Sequence, residues 1–467
     1  MTNRNRIYLC LAHMSDDGVE QRYVKEAFDT NWVVPLGPNV NGFEDDLEKF
    51  VNLNANVNLL ETSGTSDQGR ANKRVVALSS GTSAVHLALI ACGVGPGDEV
   101  LVQSFTFCAS SHPITYLGAR PIFIDSEKET WNMDPELLET AIKDRIAKTG
   151  KKPKAIITVA LYGMPYKIDK IMEIANHYEI PVIEDAAEGF GSRYNGQVLG
   201  TFGKYGVLSF NGNKMITTSG GGALITSPDG AETIKWLATQ ARESYPYYQH
   251  EKIGYNYRMS NICAGIGRGQ MTVVDAHIEH HKHVQALYEE LLAGIPGITV
   301  HSQPKDVNVN DNLNTPVFDS NFWLCTITLD PELRIKGQEN AYKEVVKGAV
   351  GGAAGVIHVA ESAITDCQPN DNVEALRVFM DAAGIEARPV WKPMHCQPVY
   401  RRGEVKSEEL RVKNEKVICQ TSGTSVAYIN GVSEEVFKVG MCLPAGPYVS
   451  DDDVHYIVET IKSAIDE

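Results

Sequence analysis

Between residues 74 and 226, short apolar runs alternate with longer segments of helical period. VVALSS (75–80) reads as a buried strand, and SAVHLALIACGV (83–94) as a helix with Val85, Ala88, Leu89 and Cys92 on its spacing. GPGDEVLVQS (95–104) turns and returns as a strand, and RPIFID (120–125) is another. PELLETAI (135–142) is helical, KAIITVALYG (154–163) a strand, IDKIMEIANHYEI (168–180) a helix and PVIEDAA (181–187) a strand. This alternation predicts an α/β domain with a mainly parallel sheet, in which ligands sit outside the carboxyl ends of the strands.

From about residue 227 the pattern changes. AGIGRGQMTVVDAHIEHHKHVQALYEELLAG (264–294) predicts one long helix, within which a second lobe begins. SDDDVHYIVETIKSAI (450–465) predicts a closing amphipathic helix with Ser450 as its N-cap. The expected organisation is a large domain over 1–270 and a smaller α+β domain over 271–467. Three segments read as inserted surface excursions: 52–74 in the first domain, 337–372 and 403–434 in the second.

The length of 467 residues is ample for two lobes, each with a core of its own. Lys and Arg total 43 against 59 Asp and Glu, a formal charge of −16, which argues against nucleic acid as a partner. Nine scattered cysteines without a CxxC pair fit reduced thiols. No apolar run is long enough for a bilayer, so the expected location is the cytoplasm, away from membranes.

Ser-Gly-Thr-Ser occurs at 63–66, 80–83 and 422–425. At 63 it lies in polar loop sequence, and at 422 it fits a hairpin. Only at 80 does it close a strand and open an apolar helix. There the amides of Gly81, Thr82 and Ser83 are expected to point outward at a helix start, which suits a plain cap or a phosphate. GVGPGDE (93–99) runs from helix to strand and does not match a dinucleotide loop.

VIEDAAEGFGS (182–192) ends a strand with Glu184 and Asp185, of which only one can face a given cleft. SFNGNKMITTSGGGALIT (209–226) places Lys214 in a polar, glycine-rich stretch between apolar runs. Taken singly, these are a strand end and a lysine. Taken together, a phosphate site, a buried Asp and a sheltered Lys are what pyridoxal phosphate requires. Phe107, in SFTFCAS (104–110), follows another strand and is placed to stack on the ring. His277, His280, His281 and His283 share a helix without a carboxylate pattern, and read as a solvated interdomain face.

The run from 74 to 271, and most of the remaining chain outside the inserts, resembles the DegT/DnrJ/EryC1/StrS sugar aminotransferases. The motifs are WVVPLGPNVNGFE (32–44), LSSGTSAVHLAL (78–89), SFTFCAS (104–110), IEDAAEGFGS (183–192), SFNGNKMITTSGGG (209–222), GYNYRMSN (254–261) and RPVWKPMH (388–395). QARESYPYYQHEKIGYNYRMSN (240–261) is most similar to transaminases that aminate UDP-linked 4-keto-6-deoxy-N-acetylhexosamines. The resemblance implies the aspartate-aminotransferase fold, fold type I of pyridoxal-phosphate enzymes.

It also implies roles. Lys214 is the Schiff-base residue, Asp185 the partner of the ring nitrogen and Phe107 the stacking residue. Glu188 stands near the ring hydroxyl, where many members have Gln. Gly81, Thr82 and Ser209 hold the phosphate, and Asn256 reaches the phosphate of a neighbouring subunit, so a homodimer with shared active sites is implied. Leu36, Gly37, Arg258, Arg388, Trp391 and His395 are the candidate substrate contacts. L-Glutamate is the implied amino donor. A 3-aminotransferase, a dehydratase or a non-catalytic regulatory protein on the same fold are the alternatives. Relatives that remove a hydroxyl carry His in place of the lysine.

Overall fold

A computed structural model describes residues 5–53, 72–306, 316–342, 367–412 and 415–466. Ten strands form the main sheet, in the order Arg74–Leu78, Gly222–Thr226, Tyr205–Ser209, Val182–Asp185, Ala155–Val159, Glu99–Gln103, Arg120–Ile124, Val426–Ile429, Glu415–Thr421 and Lys406–Val412. The centre is parallel, from Tyr205–Ser209 through to Val426–Ile429. Both edges are antiparallel.

Strand alternation divides the core into two layers. Val75, Ala77 and Ile156 face helices Pro38–Asn52, Pro135–Thr149 and Ile168–His177. Val76, Leu78 and Ile157 face helices Gly81–Ala91 and Pro228–Ala238. Gly81–Ala91 lies deep enough that seven of its side chains from Ser83 to Leu89 are buried, which is why it is apolar nearly all round.

A second sheet is four-stranded and antiparallel, in the order Ile298–Val300, Cys325–Leu329, Gly440–Leu443 and Arg388–Pro389. Helices Val274–Leu292, Asp371–Ala382 and Asp451–Ala464 cover it through Val284, Tyr288, Leu376, Met380, Ile457 and Ile461. Ser450 caps the last helix in a reciprocal box with Asp453.

Three expectations are corrected. Segment 403–434 is not a surface excursion of the second domain. Its strands extend the main sheet of the first, with Val417, Cys419, Val426 and Tyr428 buried in one layer and Ala427 in the other. Its Ser-Gly-Thr-Ser is the hairpin turn, held by Ser422 and Ser425 hydroxyls on the Tyr400 carbonyl. The copy at 63–66 and most of the inserts 52–74 and 337–372 lie outside the described residues. The long helix is two, Asn261–Met271 and Val274–Leu292, parted where Thr272 turns its hydroxyl onto the Gly269 carbonyl.

The histidine face is not solvated. His277 and His281 are buried and bond the carbonyls of Met215 (3.3 Å) and Phe322 (3.1 Å), and His280 bonds that of Val449 (3.0 Å). Only His283 faces out, onto Asp451. The row thus ties the long helix to both domains. Among the described residues, no helix is long and apolar enough to cross a membrane, and no disulfide joins the nine cysteines.

Burial lowers His281 to about 3, and its Nε2 has no hydrogen-bond partner. Below the ordinary histidine value of about 6.5, the unfolded chain binds a proton that the folded chain refuses, so acid favours unfolding. From about pH 7 to about pH 5 this one ring costs about 2 kcal/mol. His281→Gln keeps a donor for Phe322 without titrating. Urea unfolding at the two pH values should show the wild type losing about 2 kcal/mol more than the variant. Equal losses would rule out His281 as the acid-sensitive group.

Candidate active site

A cavity of about 320 Å³ opens at the carboxyl ends of the central strands. Its floor comes from Val159, Asp185 and Ser209, each at the end of a strand, and from the start of helix Gly81–Ala91. That is where the topology of a parallel sheet leaves a crevice.

The two carboxylates of Val182–Asp185 part as alternation requires. Glu184 turns away and accepts the amides of Gly200 (3.1 Å) and Gly203 (2.5 Å). Asp185 lines the cavity, its Oδ2 accepting from the Ser110 hydroxyl (2.7 Å) and its Oδ1 from the Ala187 amide (3.2 Å). Burial raises the Asp185 carboxyl above its ordinary range, opposed by those two hydrogen bonds and by Lys214.

Lys214 follows a turn closed by its own amide on the Asn211 carbonyl (3.0 Å). Its side chain is 13% exposed, with Nζ 3.4 Å from Glu188 Oε1 and 3.9 Å from the centre of the Trp323 ring. Glu188 is buried and takes the Tyr162 amide on its other oxygen (2.8 Å). Burial raises the Glu188 carboxyl, and Lys214 pulls it back.

At the helix start, Ser80 spends its side chain on the Ser83 amide (3.0 Å), while Gly81 and Thr82 line the cavity. First-turn amides have no acceptor within their own helix. The backbone is packed too closely here for side chains. A Cβ on Gly222 would lie 2.3 Å from the Gly81 nitrogen and 2.7 Å from the Leu208 carbonyl oxygen. Phe107 stands half exposed at the mouth, 5.6 Å from the Trp391 ring. Trp391 also lines the cavity, and its indole Nε1 is buried without a hydrogen-bond partner.

The cavity therefore gathers Gly81, Thr82, Phe107, Asp185, Glu188, Ser209, Lys214 and Trp391. The other candidates lie elsewhere. Arg258 is held by Glu44 (2.7 Å) and the Ala77 carbonyl (3.1 Å). Arg388 pairs with Glu386. His395 is buried against Ser104 Oγ (2.6 Å) and Glu434 (3.0 Å). Leu36 sits in an exposed apolar stretch with Val33 and Val34, and Gly37, which is buried, is the N-cap of helix Pro38–Asn52. The side chain of Asn261 accepts that helix's amides from Asn39 and Val40. Asn256 is exposed on the surface.

Sequence reasoning missed Ser110 and Trp323. Ser110 lies inside the quoted block SFTFCAS, four residues beyond Thr106, whose hydroxyl it also meets at 2.8 Å. Trp323 carries no local signal. It reaches the cavity because Asn321 anchors the preceding loop on the carbonyls of Glu188 and Phe190 (2.9 Å each), and because its own Nε1 donates to the Asn213 carbonyl (2.7 Å).

The model of the DegT/DnrJ/EryC1/StrS aminotransferase family matches residues 15–351. EpsN of Bacillus subtilis (strain 168), whose name gives it provisionally as a pyridoxal phosphate-dependent aminotransferase, is 38% identical over 98% of this chain and 95% of its own. The GDP-perosamine synthase of Caulobacter vibrioides (strain ATCC 19089 / CIP 103742 / CB 15) is 32% identical over 90% of this chain and 92% of its own. The crystal structure of a DegT DnrJ EryC1 StrS aminotransferase from Brucella abortus shares the fold, with a TM-score of 0.71 at 22% identity over 96% of this chain and 95% of that one. The chain belongs to the DegT/DnrJ/EryC1/StrS aminotransferase family and is a pyridoxal-phosphate-dependent aminotransferase of fold type I.

Proposed function

We propose that this chain moves the amino group of L-glutamate to carbon 4 of a nucleotide-linked 4-keto-6-deoxy sugar, working as a homodimer. The observation that carries the reading is one cavity holding a partly buried lysine amine and a buried carboxylate beside an open helix start. The residues fit pyridoxal phosphate. Asp185 is a carboxylate whose burial is costly until a cation, such as a protonated ring nitrogen, meets it. The amides of Gly81 and Thr82 and the hydroxyl of Ser209 suit its phosphate, and the missing Cβ atoms of Gly81 and Gly222 let the helix start pack closely on the strand ends beneath it.

When bound, the cofactor supplies an electron sink for the carbon that loses its proton. The protein supplies the rest. Lys214 Nζ offers the amine that anchors the cofactor and afterwards carries the proton between carbons. Asp185 would hold positive charge at the ring nitrogen. Glu188 and the Trp323 face steady Nζ between them. Phe107 would cover the ring, and the unpartnered Trp391 indole would offer a donor to an incoming oxygen.

The substrate and the dimer rest on likeness. A relative matched over 90% of this chain is named for a GDP-linked sugar, whereas the motifs around 240–261 resemble enzymes of UDP-linked sugars, so both nucleotides belong in the test. The dimer is supported by an exposed aromatic stretch, Tyr245, Tyr247 and Tyr248, close in sequence to exposed Asn256.

Lys214→Ala should abolish turnover together with the absorbance of the lysine-bound cofactor, and retained turnover would remove the lysine from its role. Asp185→Ala should cost about 3 kcal/mol in the transition state, roughly a hundredfold in kcat, and kinetics within a few-fold of wild type would contradict the electrostatic role. UDP- and GDP-linked 4-keto and 3-keto sugars, each incubated with glutamate and the product read by NMR, should yield an amine on carbon 4. An amine on carbon 3, or loss of an oxygen, contradicts the reading.

A further inference from the structure

Away from the cavity, three side chains distant in sequence converge. The Sγ atoms of Cys367 and Cys396 and a carboxylate oxygen of Glu434 lie within 4.8 Å of one another. Cys367 precedes helix Asp371–Ala382, Cys396 ends the short turn Met394–Cys396, and Glu434 sits in the first turn of helix Val432–Val439. Both cysteines are buried, while the Glu434 side chain is 33% exposed, so the cluster has one open side. Around it, His395 Nε2 lies 3.0 Å from Glu434 Oε1, its Nδ1 lies 2.6 Å from Ser104 Oγ, and Lys392 Nζ donates to the Cys367 carbonyl (2.8 Å).

We propose that Cys367, Cys396 and Glu434 bind one zinc ion, with water at a fourth position on the open side. Two sulfurs and one carboxylate suit a borderline-soft cation without geometric demands of its own. Magnesium and calcium select oxygen donors and would leave both sulfurs unused. Zinc lies about 2.3 Å from sulfur and about 2.0–2.2 Å from oxygen, which places tetrahedral ligand atoms roughly 3.5–3.8 Å apart. The observed cluster, within 4.8 Å, needs a contraction of about 1.3 Å at most to reach that spacing. His395 then holds one oxygen of Glu434 so that the other faces the metal, the kind of outer partner that fixes a ligand's orientation. A disulfide between the same cysteines would use the sulfurs but give Glu434 and His395 no part.

The ion has a structural task. It joins residues 394–396 to helix Val432–Val439 and to the start of Asp371–Ala382. Met394 and His395 also bond Ser104, just beyond strand Glu99–Gln103, and Trp391 lies a few residues upstream. Zinc there steadies the Trp391 wall of the cavity without touching the reacting atoms.

The test uses the full-length, cofactor-loaded protein, purified under reducing conditions without chelator and titrated with zinc chloride against a chromophoric chelator. One tight zinc per chain is expected, and cobalt(II) in its place should show sulfur-to-cobalt charge-transfer absorption. Cys367→Ser and Cys396→Ser should each weaken zinc roughly tenfold or more and diminish that band, while Glu434→Gln should weaken zinc and keep the band. Zinc should also block disulfide formation when oxidised glutathione is added. If a cysteine variant fails to fold, X-ray absorption of the zinc-loaded wild type should find two sulfur neighbours at about 2.3 Å. Absence of tight zinc, unchanged binding in both folded cysteine variants, a zinc shell of nitrogen and oxygen alone, or a Cys367–Cys396 disulfide forming equally fast with zinc present would each overturn the proposal.

Discussion

A carboxylate taken out of water at the end of a buried strand is unstable company unless something positive meets it. Asp185 is such a group. Ser110 and the Ala187 amide satisfy part of it, yet burial still pushes its carboxyl upward. Lys214 is the nearest cation that opposes the push, and it is shared with Glu188. The cavity thus holds two buried carboxyls and one amine, a balance that a cationic cofactor ring would restore. Strand alternation, the tight turn before Lys214 and the close glycine backbone at 222 all serve to keep these groups in one place.

The main sheet was readable in the sequence because its strands obey period two and its helices period 3.6, each with a face to bury. The groups that line the cavity were readable for a related reason. They lie at the junctions where a strand ends and a helix or turn begins, and there the residue types are constrained. Ser80, Gly81 and Thr82 show this plainly, as do Glu184 and Asp185, whose opposite directions follow from the pleat.

What was not readable depended on chain segments far apart. Segment 403–434 has the composition of an excursion, and nothing local says that Val426–Ile429 pairs with Arg120–Ile124. Trp323 reaches Lys214 only through the anchoring of Asn321. Arg258 and His395 come from motifs that suggest ligand contact, yet Glu44 and Glu434 engage them inside the fold. The histidines of the long helix look like a polar stripe, but three of them find backbone carbonyls to bond. A polar residue's exposure is settled by partners that its own neighbourhood does not reveal.

The central claim is that the amine of Lys214, and no other in the chain, is joined covalently to the cofactor aldehyde in the resting protein. Borohydride reduction of that protein, followed by digestion and mass spectrometry, tests it directly. The account predicts one modified peptide, containing residue 214 and heavier by the reduced cofactor. A label on another lysine, or no label on protein that holds the cofactor, would contradict it.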